Sequence, residues 1–96
     1  MATGAIATLK VQEGKDAEFT AAAKEMMAAV RANEPGNKLY QFFKSRKEPN
    51  TYVVLEIYES DEAAKFHTKA DHFRAIGPKL GATMTGMPDV YYLESI

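Results

Sequence analysis

His67 and His72 are the only histidines in the chain, and Glu56 is a carboxylate in the middle of a largely apolar run. An unperturbed imidazole titrates near neutrality, at about pH 6.5, so either histidine suits a general base. A carboxylate beside such a base would orient its ring. Spacing limits what the pair can do together. Five residues along an unbroken helix turn two side chains about 140° apart, and this is not the i, i+4 spacing of a helical zinc pair. A metal site would need a helix break between them, with Glu56 or another carboxylate as third ligand. Structural roles stand beside these. His72 suits a cap at a helix junction, and His67 a ring pinned by a polar contact to Glu56. Glu56 also suits a partner for a lysine, arginine or histidine across a strand or a subunit interface. Tyr40, Phe42, Tyr58, Phe66, Phe73 and Met84 are large enough to wall a substrate cavity and equally suited to plain core.

The elements that must position these groups are legible in order. Tyr52–Tyr58 reads as a strand rich in β-branched and aromatic residues, with Tyr52, Val54, Glu56 and Tyr58 on one face. Ser60 is a good N-cap for the helical region that follows and carries both histidines. Upstream, Ala5–Val11 reads as a first strand. Lys15–Ala32 reads as a helix, with Phe19, Ala22, Ala23, Met26, Ala29 and Val30 on one stripe. Pro35 biases Glu34 out of that helix, and Gly36 is free to take a positive φ. Leu39–Ser45 is a second strand, joined to the third by a short polar connection that implies a hairpin. Gly77-Pro78 is expected to interrupt the second helical region. Asp89–Ile96 is the last strand.

Strand, helix, strand, strand, helix, strand is the order of a ferredoxin-like α+β sandwich: a four-stranded antiparallel sheet with helices on one face, built as one domain over residues 1–96. The helices cover one side only. Yet the second strand has Leu39 and Phe43 on one side and Tyr40 and Phe42 on the other. A sheet with one wet face alternates more cleanly, so the uncovered face is expected to pack against a second copy of the chain.

Composition excludes several function classes. The chain has 96 residues, a formal net charge of -1 and no cysteine. Thiolate metal sites and disulfides are therefore absent. Near-neutral charge gives no electrostatic basis for nucleic acid or anionic membrane as a partner. No stretch reads as a membrane span or secretory signal, and a cytoplasmic location is expected. The glycines are isolated, so no loop is built to cradle a nucleotide or flavin phosphate.

Several stretches resemble the antibiotic biosynthesis monooxygenase family. They are Glu34-Pro35-Gly36 before Leu39-Tyr40, then Pro49 before Tyr52-Val53-Val54 and Glu56-Ile57-Tyr58. Ala63-Ala64, His67 and His72-Phe73 follow, then Met87-Pro88 before the last strand. Many relatives have Ser-Pro where this chain has Ala70-Asp71. The resemblance spans essentially the whole chain and implies a dimeric α+β barrel. It also implies a cofactor-free monooxygenase that oxidises a small quinol or phenolic aromatic compound with molecular oxygen. In that scheme His72 or His67 is the base, Glu56 its orienter, and Tyr40 or Tyr58 a positioning donor. No flavin, haem or metal is expected. The haem-degrading branch is marked by an asparagine, a tryptophan and an axial histidine, where this chain has Ala7, His67 and Gly77. Two other readings fit the same fold. One is a non-redox isomerase of a small phosphorylated sugar, for which Arg46, Lys65 or Arg74 would supply cations. The other is a non-catalytic small-molecule binder.

Overall fold

Ala5, Ala7 and Leu9 alternate with Gly4, Ile6 and Thr8 along strand β1 (Thr3–Lys10), and only the first set is fully buried. That alternation decides which side of the sheet the helices take. The structure, a computed structural model, describes residues 1–96. After β1 come α1 (Asp16–Asn33), β2 (Asn37–Lys44), β3 (Thr51–Tyr58), α2 (Asp61–Lys69), α3 (Asp71–Gly81) and β4 (Asp89–Glu94). The strands form one antiparallel sheet in the order β2-β3-β1-β4. This is the expected ferredoxin-like α+β arrangement, with the second helical region divided in two.

Register sets up the interior. Tyr40, Glu56, Ala5 and Tyr92 lie side by side across the four strands. Phe42, Val54, Ala7 and Val90 form the next row. Both rows face the helices. On β2 and β3 the side chains are large, and on central β1 they are alanines. Phe19, Met26 and Val30 of α1 fill the space over the large side chains and are 0–1% exposed. Over the alanines the sheet surface lies lower, which leaves room beneath α3.

The helix break is not at Gly77-Pro78. Helix α3 runs through Pro78, and the carbonyl left free one turn earlier belongs to exposed Arg74. The chain turns instead at Ala70, whose extended backbone (φ -70°, ψ 150°) ends α2 and starts α3. Gly36 also differs from expectation. The left-handed positions are Gly14 and Asn50. Gly36 is required for space, because a Cβ there would lie 2.7 Å from the Ala63 Cβ. Missing that atom, the turn after α1 lies directly on the start of α2.

The far side of the sheet has no helix over it. Leu39, Ile57 and Leu93 share one row with Gly4, and they are 38%, 40% and 48% exposed. Phe43 and Tyr91 on the same face are also exposed. No helix is long and apolar enough to cross a membrane.

Candidate functional site

Glu34 is the residue that assembles the site. Pro35 forces it out of helical geometry, to φ -123° and ψ 84°, while its N–H still donates to the Val30 carbonyl. The Gly36 turn then sits against Ala63, and the Glu34 side chain points inward with 2% of its surface exposed. Ser60 caps α2, its hydroxyl accepting from the Ala63 N–H at 3.1 Å. That fixes the helix whose last turn carries His67, the one buried residue of α2. The break at Ala70 reorients the chain, so His72 in the first turn of α3 comes back toward His67. Their ring centroids are 6.3 Å apart.

Both imidazoles meet the same oxygen. His67 Nδ1 lies 2.7 Å and His72 Nε2 2.5 Å from Glu34 Oε2. A carboxylate oxygen accepts, so each of those nitrogens carries a proton and donates it. His67 thereby carries a proton on Nδ1, and in the neutral ring Nε2 is the nitrogen left to accept. No protein group hydrogen-bonds to that nitrogen, nor to the other nitrogen of His72. Glu34 Oε1 is the one buried side-chain polar atom without a partner.

These three residues could also hold a metal ion, since one ligand atom from each lies within 4.8 Å of the others. The spacing is that of hydrogen bonds, however. Adjacent ligand atoms on an octahedral ion with bonds of about 2.1 Å lie about 3.0 Å apart. The two nitrogens are closer than that to Oε2, at 2.5 and 2.7 Å. Metal binding would require both bonds to open and both nitrogens to lose their protons.

His67 faces a cavity of about 910 Å³ between the sheet and α3. Of the residues nominated from sequence, Tyr40, Phe42, Glu56, Phe73 and Met84 line it with His67. His67 lies in the aromatic wall, with ring centroids 5.1 Å from Tyr40 and 4.9 Å from Phe73. Three nominated residues lie elsewhere. Phe66 is 52% exposed, because it falls on the outer face of α2. Tyr58 is buried beneath the wall, and its hydroxyl donates to Glu56 Oε1 at 2.5 Å. His72 is set back behind Glu34 and does not line the cavity.

Glu56 therefore does not orient a histidine. Its hydrogen-bonded partner is Tyr58, two residues along the same face of β3, while Glu34 takes the role that sequence assigned to Glu56. Burial pushes the Glu56 carboxyl up, and Glu34 adds to this; the Tyr58 bond and the nearby His67 imidazole pull it back. Burial likewise pushes the Tyr40 phenol up, with Glu56 and Glu34 acting in the same direction. Tyr40 thus stays a protonated donor on the cavity wall. Tyr58 is pushed up for the same reason, burial first and then Glu56. With its hydroxyl committed to Glu56, it is not the positioning donor.

Sequence reading missed the carboxylate of Glu34. One signal pointed to it. A negative charge at a helix C-terminus opposes the helix dipole, so an acidic residue just before Pro-Gly needs a cation or a donor elsewhere.

Residues 3–79 match the antibiotic biosynthesis monooxygenase family. The chain belongs to that family. It is 34% identical over 88 residues to a Bacillus subtilis (strain 168) protein described as the putative monooxygenase YcnE, covering 92% of each chain. A solved Caulobacter crescentus CB15 structure, described as a putative antibiotic biosynthesis monooxygenase, is 44% identical and superposes with a TM-score of 0.95. It covers 99% of this chain and 90% of its own. Rv0793 from Mycobacterium tuberculosis shares the fold at 21% identity, with a TM-score of 0.89, over 100% of this chain and 96% of its own.

Proposed function

We propose that this protein is a cofactor-independent monooxygenase that oxidises a small quinol or phenolic aromatic compound with molecular oxygen. The observation that carries the reading is His67: a buried imidazole fixed by Glu34 at Nδ1, with Nε2 free and its ring in the wall of an aromatic cavity. His67 Nε2 takes the proton of a substrate hydroxyl. The resulting anion passes one electron to oxygen, and the caged radical pair joins through a new carbon–oxygen bond. When the peroxide collapses, the O–O bond breaks and the substrate carbon keeps one oxygen atom as a carbonyl, losing its hydrogen as a proton. The other oxygen leaves as water with the proton held by His67. Tyr40 supplies a hydrogen bond to the anion, and the walls of the cavity limit water. Glu56, beside the base, tunes the charge of the wall.

The sugar-phosphate isomerase reading asks for a cluster of cations. Of Arg46, Lys65 and Arg74, only Arg74 lines the cavity. An oxygen-electrode screen of the purified protein against hydroquinones and anthrones tests the proposal. Substrate-dependent oxygen uptake without added metal or flavin is expected; a phenol that binds without any uptake would sink the monooxygenase reading.

The uncovered sheet face supports a homodimer that packs face to face. Leu39, Phe43, Ile57, Tyr91 and Leu93 make it more apolar than a free surface tolerates. Light scattering at micromolar concentration is expected to give about twice the chain mass, and a Leu55→Arg variant in the centre of that face to give one chain mass. A monomeric parent protein would remove the dimer.

A further inference from the structure

Apart from His67, the cavity is lined by one acidic and one basic residue: Glu56 in the sheet that forms its floor, and Arg74 in α3, which forms its roof. We propose that Arg74 is a specificity-determining residue, and that the substrate is a phenolic aromatic compound that also carries a carboxylate. The inference rests on the reading of the cavity as the site of phenol oxidation.

Arg74 has its binding capacity unspent. It makes no ion pair and no hydrogen bond within the protein, although Asp71 stands three residues before it on α3. Its planar guanidinium is the side chain best shaped to hold a carboxylate by two parallel hydrogen bonds. Arg74 is exposed and lines the cavity, so it stands where the cavity meets solvent. Gly77 and Gly81, three and seven residues further on the same face of α3, also line the cavity, and a Cβ on either would meet nothing within 4 Å. The helix surface beside Arg74 is therefore bare, and a flat ring can lie against it.

The buried end of the cavity asks for a different group. Tyr40 is 6% exposed, and its hydroxyl has no partner in the protein. Glu34 Oε1 is the one unpartnered side-chain atom that is fully enclosed, so the Tyr40 hydroxyl opens on the cavity. A ligand that satisfies both ends has a hydroxyl for Tyr40 and His67, an apolar body against Phe42 and Phe73, and an anion for Arg74. Glu56 fixes the direction. It pairs in register with Tyr40, so a carboxylate entering first is repelled at the buried end and attracted at the mouth. One cation also suits one negative charge better than a phosphoryl group, which carries nearly two at neutral pH.

The test is anaerobic calorimetry with 2,5-dihydroxyphenylacetate and its neutral amide, 2,5-dihydroxyphenylacetamide, which differ in charge and little in shape. The parent protein is expected to bind the carboxylate about tenfold more tightly than the amide at low salt. In Arg74→Gln that ratio should fall about tenfold, and Arg74→Lys should restore part of it. Lys65→Gln removes an exposed cation that does not line the cavity, and should keep the parent ratio. A ratio that changes less than threefold in Arg74→Gln, or that falls as far in Lys65→Gln, overturns the proposal. So does ribose 5-phosphate bound as tightly as the dihydroxyphenylacetate, since the anion would then need no aromatic body. Binding is read without oxygen, so the role of Arg74 is decided even if no phenol is oxidised. Oxygen uptake with the same two compounds then tests the reaction by itself.

Discussion

Replacing His67 with glutamine is expected to lower quinol-dependent oxygen uptake by about a hundredfold or more, the usual scale for losing a general base. Glutamine is the informative choice. Its amide N–H can reach Glu34 and keep that bond, but it has no nitrogen lone pair to accept a substrate proton. The loss should fall on kcat, with KM little changed, because the aromatic wall of Tyr40, Phe42 and Phe73 that holds the substrate stays in place. Alanine would confuse the result. His67 is 4% exposed and bonded within a buried pair, so its truncation removes packing and leaves Glu34 short of a donor. A falling melting temperature would then accompany the lost activity. Oxygen-electrode rates at saturating quinol check the prediction, and uptake at the parent rate in a folded His67→Gln protein would remove His67 from the reaction.

How much of this could be read in advance follows from which forces are local. The strands and α1 were legible because apolar periodicity and turn chemistry are properties of short windows. Ser60 was legible as a cap for the same reason. The two-faced apolar pattern of β2 and β3 marked the uncovered face. The assembly of the site was harder. Pro35 showed that Glu34 leaves the helix, but not where its carboxylate goes, since that depends on Gly36 packing against Ala63 far along the chain. The break at Ala70 was hidden because alanine favours helix and carries no stop signal. Gly77-Pro78 is the stronger breaking signal, and the structure absorbs it on the exposed side of α3. An unbroken helix across Ala70 would make His67 and His72 diverge. Glu56, the only carboxylate nearby in sequence with an apolar setting, was then the natural partner for them. A residue two positions away on its own strand face had the prior claim: the Tyr58 hydroxyl needed an acceptor once buried.

Glu34→Ala is expected to cost roughly 3 kcal/mol of stability, since removing one member of a buried charged network leaves the others unpaired. Two short hydrogen bonds disappear at once. His67 cannot recover its lost bond from water, because it is enclosed between Tyr40, Tyr58 and Phe73. His72, nearer the surface, recovers part of its own. A small gain opposes this, since the negative charge at the end of α1 is unfavourable by about half a kcal/mol at most exposed sites. The unpartnered Oε1 is also relieved. Neither offsets the orphaned imidazoles. For a chain of this size each kcal/mol moves the melting temperature by about 4–8 °C, so a fall of more than about 10 °C is expected. Glu34→Gln, which keeps one acceptor oxygen for one of the two rings, should lose about half as much. Thermal melts at one fixed protein concentration check both, so that any change in association does not enter the comparison. Were Glu34→Ala to melt within a degree or two of the parent protein, the cluster would contribute nothing net to the fold. Its three members would then be held together by the packing of α2 and α3 rather than the reverse.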